Sequence, residues 1–187
     1  MTTSPPLRAG QKRERLPDGE NVLRLVKKTT NDGKVPPDEF ELSTLDKASE
    51  LKSISTWAES LTSPEQAREF MGDKKEAYSL FCSLKVDWIR ILRPDPDNTE
   101  VGSLDVVWDP LKVMQEDGTE VPDARPGAEG HSGIMGLMRP PDMPRSHFFS
   151  LRSQLADLAN TTLKQISDID MSAAIPGATP SSGGPES

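Results

Sequence analysis

Residues 78–88 read YSLFCSLKVDW, and apolar and polar side chains alternate along them. The apolar set in phase comprises Tyr78, Leu80, Cys82, Leu84, Val86 and Trp88. This period of two is typical of a β-strand with one buried face. A helical interpretation of residues 77–92 stays open, because a second apolar set has the spacing of one helix face. That set comprises Ala77, Phe81, Leu84, Trp88 and Ile91.

The pattern of residues 83–88 recurs further along the chain. Residues 83–88 read SLKVDW and residues 103–108 read SLDVVW, with Leu, Val and Trp at alternate positions in both. The segment between them contains RPDPDN, whose proline and aspartate residues favour a chain reversal. We therefore expect an antiparallel hairpin formed by residues 78–92 and 103–114.

Shorter strands are predicted on both sides of this hairpin. Residues 21–28 are rich in β-branched and aliphatic side chains and precede the turn signal Asn31-Asp32-Gly33. The turn signal Glu116-Asp117-Gly118 predicts a second, small hairpin with a return strand at 119–121.

Two consecutive helices are predicted over residues 44–71. The first, at 44–61, has apolar residues at helical spacing: Leu51, Ile54, Trp57, Ala58 and Leu61. The second, at 64–71, begins with Ser63, Pro64 and Gln66, which together predict a capping box with proline at the first helical position.

The longest predicted helix covers residues 146–169. Its apolar stripe is about one hundred degrees wide, the width expected of a buried face. Burying six large apolar side chains contributes roughly 9–18 kcal/mol of gross free energy, so we expect the stripe to pack on the sheet or on another chain. Together with a methionine-containing segment it supplies the candidate partner interface: Phe148, Leu151, Leu155, Leu158, Ile166, Met135 and Met138.

Composition divides the chain into parts. Only 34% of the residues are hydrophobic and 17 are proline, so we expect the ends to lack the apolar surface needed to fold. The predicted organisation is a disordered basic arm (1–20), an α+β core (21–118), a Pro/Gly-rich loop (119–145), an amphipathic helix (146–170) and a disordered tail (171–187).

Charge is distributed unevenly along the chain. Residues 1–35 hold eight Lys/Arg and four Asp/Glu, whereas residues 36–187 hold 14 and 26, which sums to the net charge of −8. The basic arm is expected to make weak electrostatic contacts with nucleic acid or another anionic surface. The candidate contact residues are Arg8, Lys12, Arg13 and Arg15.

Residues suited to catalysis or metal binding are scarce. The chain has one cysteine and two histidines, too few for a usual tetrahedral zinc site. We expect Cys82 to be a small buried hydrophobe. Residues 130–133 read GHSG but lack the second glycine of a nucleophile elbow, so they are interpreted as a flexible loop. The sequence therefore predicts no enzyme activity, cofactor or metal.

These observations favour a structural or assembly protein that self-associates or binds protein partners, by analogy with viral matrix- or capsid-associated proteins. The alternative is a monomeric regulatory adaptor that docks through its C-terminal helix or its proline pairs. These pairs are Pro5-Pro6, Pro36-Pro37 and Pro140-Pro141. Residues 133–138, GIMGLM, suit a docking segment as much as a covering loop.

Without a signal peptide or apolar run of membrane-spanning length, we expect an intracellular protein, cytoplasmic or nuclear.

Overall fold

A computed structural model describes residues 14–48, 51–94, 104–138 and 144–166 of the chain. The predicted α+β class is confirmed. The strands are β1 (Asn21–Val26), β2 (Ile54–Ala58), β3 (Leu80–Lys85), β4 (Asp105–Trp108), β5 (Lys112–Met114), β6 (Glu120–Pro122), β7 (His131–Met135) and β8 (Lys164–Gln165). Six of them form one antiparallel sheet in the order β4-β7-β2-β1-β3-β8, and β5 pairs with β6 as the predicted small hairpin.

Helices cover both faces of the sheet. They are α1 (Thr44–Ala48), α2 (Pro64–Glu69), α3 (Val86–Ile91), α4 (Arg145–Thr162) and short 3-10 helices at Pro37–Phe40, Gly72–Ala77 and Ala128–Gly130. The predicted capping box at the start of α2 is confirmed. The Ser63 amide donates to Gln66 Oε1 at 2.8 Å, and the Gln66 amide donates to Ser63 Oγ at 3.2 Å.

The core has one layer on each face of the sheet. On the first face α4 packs against alternate strand residues; this layer includes Val22, Ile54, Cys82, Leu84, Val106, Ile134, Leu151, Leu155 and Ala159. The second face is covered by α2 and its neighbours; this layer comprises Leu23, Leu25, Trp57, Ala67, Phe81 and Ile166. The central strands are therefore buried on both sides.

The predicted hairpin of residues 78–92 and 103–114 is wrong. β3 pairs with β1 over six residue pairs and with β8 on its other side. β4 pairs with β7, so three strands separate the two segments that resemble each other in sequence. Both interpretations of residues 77–92 are partly right, because a strand at 80–85 continues directly into α3.

The predicted helix at 44–61 is also wrong beyond α1. Residues 54–58 form β2, with Ile54 and Ala58 in the first core layer and Trp57 in the second. A strand with both faces buried shows apolar residues in both phases, and this pattern is not distinguishable from helical spacing over five residues.

The predicted loop at 119–145 contains β7, which lies inside the sheet between β4 and β2. Gly130, which precedes β7, and Gly133, which lies within it, permit close packing rather than flexibility. A side chain at Gly130 would collide with Thr62, and one at Gly133 would collide with Ser53. The flexible-loop interpretation of residues 130–133 is therefore wrong.

The predicted arm of residues 1–20 is part of the fold from residue 14 onward. The amide of Leu16 donates to the carbonyl of Val106, and that of Trp108 donates to the carbonyl of Glu14. The Leu16 side chain is only 1% exposed. Residues 1–13 and 171–187, for which disorder was predicted, lie outside the described residues, and so do residues 167–170 of the predicted C-terminal helix.

Candidate binding groove

The predicted interface stripe on α4 mostly faces the protein's own core. Leu151 and Leu155 are buried in the first core layer, and Leu158 packs against that layer. Ile166 lies beyond α4, because the helix ends at Thr162 rather than at 169, and it belongs to the second layer. These residues are therefore occupied within the chain and do not form a free surface.

Phe148 and Met138 are different, because both line a surface groove of about 530 Å³. Three parts of the chain form its walls: the 3-10 helix Pro37–Phe40 with the residues after it, the segment that follows β7, and the first two turns of α4. The groove is lined by Phe40, Glu41, Leu42, Lys47, Leu137, Met138, Arg145, Phe148 and Arg152.

The first wall is held in place by hydrogen bonds to its surroundings. The amide of Val35 donates to Asn160 Oδ1 at 2.7 Å, and Asn160 Nδ2 donates to the carbonyl of Val35 at 3.2 Å. Arg24 Nη2 donates to the carbonyl of Glu39 at 3.1 Å. These bonds fix the 3-10 helix against α4 and the sheet, so the groove is preformed on this side.

The second wall depends on a glycine turn after β7. Gly136 has a φ of 93°, a conformation that side-chain-bearing residues rarely adopt. This turn brings Leu137 into the core, where it is buried, while Met138 stays 47% exposed at the groove. Of the two hypotheses for residues 133–138, the covering role fits Ile134 and Leu137, and Met138 remains available for contact.

The third wall is one face of α4. Arg145, Phe148 and Arg152 are spaced three and four residues apart, so they lie along one side of the helix. Arg152 Nη1 lies 3.1 Å from Glu41 Oε2 across the groove. The buried Nε of Arg152 has no hydrogen-bond partner among the described residues.

The charge of the groove is opposite in sign to that of the chain. Among the described lining residues, Lys47, Arg145 and Arg152 contribute three positive charges and Glu41 one negative charge, whereas the whole chain carries −8. Phe40, Leu42, Leu137 and Phe148 are buried beneath the groove, and Met138 is its exposed apolar side chain. The groove thus combines an exposed methionine with cationic sides.

The sequence predicted only two of these lining residues. Arg152 lies four residues after Phe148, and this signal was available on a helical wheel of the predicted helix at 146–169; Arg145 lies one residue before its predicted start. Phe40, Leu42 and Lys47 lie about a hundred residues earlier, and no local pattern connects them with α4.

The described part of the basic arm is engaged within the fold. Arg15 Nε lies 2.7 Å from Asp105 Oδ2. Arg90 also bonds to Asp105, and Arg90 pairs with Asp18 as well, so these side chains form one cluster with Arg15. Partial burial acts to raise the pKa of Asp105, but hydrogen bonds from Arg90, a backbone amide and Arg15 outweigh it and lower the pKa. Arg8, Lys12 and Arg13 lie outside the described residues, and their predicted contacts stay a prediction.

Cys82 is enclosed, as its sequence context predicted. The residue is fully buried, and burial raises the pKa of its thiol to about 12. The thiolate, which is the reactive form, is therefore not populated near neutral pH.

His131 lies in β7 and is packed rather than presented to a substrate. Its ring makes an edge contact with Trp57 at a centroid distance of 5.4 Å. Nδ1 lies 2.6 Å from the carbonyl oxygen of Asp109 and 3.8 Å from its Oδ2. His131 has an acidic neighbour, but its side chain is only 10% exposed and is not part of the groove lining. Within the four described ranges, no three His, Cys, Asp or Glu residues are grouped as metal ligands.

Further exposed apolar side chains are scattered over the described surface. Trp88 and Ile91 lie on α3. Trp88 is 46% exposed, so the buried position that its place in the apolar sets of residues 77–92 predicted is wrong. Trp57 and Trp108 do pack in the core layers. Val113 and Met114 lie on the β5–β6 hairpin. Met135, the remaining predicted interface residue, is partly buried in β7.

Comparison with protein-family models, with curated proteins and with solved structures finds no significant match. The analogy to viral proteins therefore stays a prediction. Among the described residues, none of the helices has the length and apolar character needed to cross a bilayer.

Proposed function

We propose that this protein is a non-enzymatic assembly protein that associates with further copies of itself through the groove. The observation that carries the proposal is the contrast in charge: three cations and one carboxylate line the described part of a concave surface on a chain of net charge −8. A groove of that sign attracts acidic surfaces, and another copy of this acidic chain offers such a surface.

An exposed apolar side chain in the groove supports a protein occupant rather than a free anion. Met138 is 47% exposed there, and burial of such a side chain stabilises an interface more than exposed ion pairs do. Binding pockets combine a mostly apolar lining with a few polar groups in the same way.

The non-enzymatic part of the proposal rests on the positions of the reactive groups. Cys82 and His131 are both enclosed in the sheet, and neither lines the groove. A cytoplasmic or nuclear location stays part of this proposal, since a single buried thiol offers no disulfide within the chain.

The adaptor alternative has less support than the assembly proposal. The apolar stripe of α4 that contains Leu151 and Leu155 is covered by the sheet, so this stripe is not available to dock a partner without unfolding. Pro36 and Pro37 are partly buried at the start of the 3-10 helix, which leaves little of that proline pair accessible. The adaptor hypothesis predicts a monomer at every concentration.

Replacement of Met138 by glutamate tests the groove. Met138→Glu places a negative charge in an apolar and cationic contact, so we expect the dissociation constant of self-association to rise roughly tenfold or more. Met114→Glu is the matched control, because Met114 is also exposed but lies on the β5–β6 hairpin. Light scattering across a concentration series measures the mass of each variant relative to the 20.5 kDa chain.

The control and the wild-type protein should show the same increase of mass with concentration. A wild-type protein that stays monomeric at every concentration contradicts the assembly proposal. If Met138→Glu changes the dissociation constant of self-association no more than Met114→Glu does, the interface lies outside the groove.

A further inference from the structure

The chain itself contains a segment whose composition complements the groove. Residues 167–171 read SDIDM, with Asp168 and Asp170 alternating with Ile169 and Met171. Residues 167–187 contain no Lys or Arg, so the whole C-terminal segment is acidic. In the sequence it comes after β8 and Ile166.

We propose that residues 168–171 of one copy bind in the groove of a second copy. This inference rests on the proposed function and names its occupant. The carboxylates of Asp168 and Asp170 pair with the cations at the sides of the groove, Arg145 and Arg152 foremost. Ile169 and Met171 contact the side chain of Met138, which is 47% exposed at the groove.

The segment fits the groove better than it fits the basic arm. The arm also carries cations, but it contributes few apolar side chains, whereas the groove presents the exposed side chain of Met138 beside its cations. Paired carboxylates alone gain little from exposed cations in water. The apolar residues of the segment therefore favour the groove.

We place the contact between copies because the segment starts on the face of the sheet opposite to the groove. Ile166, the residue before the segment, packs in the second core layer. The groove residues Phe40, Leu42 and Leu137 belong to the first layer.

A tail that binds the groove of the next copy produces a heterologous contact. Each copy then offers one free groove and one free tail, so assembly continues into a ring or an open chain of copies. The mass distribution should accordingly extend beyond a dimer as the concentration rises.

Two complementary variants test the contact. The tail variant carries Asp168→Asn and Asp170→Asn and keeps its groove; the groove variant carries Arg145→Glu and keeps its tail. We expect each to raise the dissociation constant of self-association roughly tenfold or more. A mixture of the two should form a heterodimer in equal proportions and nothing larger, because only one productive pair of surfaces remains. Light scattering and native mass spectrometry measure these masses.

Lys74→Glu is the charge-matched control for the groove variant, since Lys74 is exposed on the 3-10 helix Gly72–Ala77 and should leave association unchanged. Equal melting temperatures of all the variants establish that the replacements act on the surface and not on folding.

The outcomes separate this inference from the proposed function. If the groove variant lowers association and the tail variant does not, the assembly proposal stands and the tail is not the occupant. If removal of residues 1–13 abolishes association and Arg145→Glu does not, the tail pairs with the arm and the inference is wrong. If no variant changes the mass, both proposals are contradicted.

Discussion

Arg90 joins separate parts of the chain through one guanidinium group. Its Nε donates to Asp105 Oδ1 at 2.8 Å, and Nη2 donates to the carbonyl of Leu16 at 2.7 Å. Nη1 bonds to the carboxylate of Asp18. Because its side chain is only 13% exposed, these charge-assisted bonds fix the N-terminal segment to α3 and the sheet edge more firmly than surface ion pairs would.

This cluster predicts an acid dependence of stability. The pKa of Asp105 is held below its ordinary value of 3.8 in the folded chain, so the carboxylate contributes stability above that value. The contribution is lost as the pH falls through the lowered folded pKa. We expect Asp105→Asn to lower the free energy of unfolding near pH 7 by about 1–2 kcal/mol, and the difference from wild type to shrink at low pH.

Thermal unfolding of both proteins between pH 7 and about pH 3 measures this difference. Asp73→Asn, at an exposed position of the 3-10 helix Gly72–Ala77, is the control for loss of one surface charge. A destabilisation by Asp105→Asn that stays constant over the whole pH range would contradict the assignment.

Glycine residues explain why the residues of β7 were predicted to be a loop. Glycine predicts loops because it adopts many backbone conformations, but at Gly130 and Gly133 it is needed for close approach to Thr62 and Ser53. Composition alone does not separate these two uses. The packing partners lie some 70–80 residues earlier in the chain, so the signal that would identify the strand is not local.

Helices, strands and turns were predicted correctly where a local rule determines their structure. The α2 cap and the small hairpin at 112–122 follow from short-range hydrogen bonding and turn chemistry, and both were predicted. The apolar stripe of α4 was predicted from its period, but its end was not. Thr162 Oγ1 donates to the carbonyl of Ser83 and accepts from the amide of that residue, and β8 then continues this pairing along β3.

The N-terminal segment was misjudged because its contribution to the core comes from one residue. Leu16 is buried beside β4, while its neighbours in sequence are charged or are turn formers. A single apolar residue in a polar context resembles disorder when composition is averaged over twenty positions.

Two truncations follow from this placement. Removal of residues 1–13 should leave the melting temperature unchanged, whereas removal of residues 1–20 should lower the free energy of unfolding by about 3 kcal/mol or more. The second truncation removes Leu16 from the core and Asp18 from Arg90. Thermal denaturation of both proteins checks the result, and equal melting temperatures would show that residues 14–20 do not stabilise the fold.

On the scale of the whole molecule, the distribution of charge is more informative than its sum. Acidic residues exceed basic residues over most of the chain, yet Lys47, Arg145 and Arg152 meet at one groove. These residues come from two distant segments that only the tertiary fold brings together. The sequence therefore predicted the balance of charge but not the surface where it is reversed.

The central claim is that this groove, and no other exposed apolar surface, contacts a second copy of the chain. Amide chemical shifts of the isotope-labelled full chain, recorded over a concentration series, test it directly. The account predicts that the shifts which change most belong to residues 40–42, 137–138 and 145–152, together with residues 168–171. Changes centred instead on Trp88 and Ile91, or on the hairpin at Val113 and Met114, would contradict it.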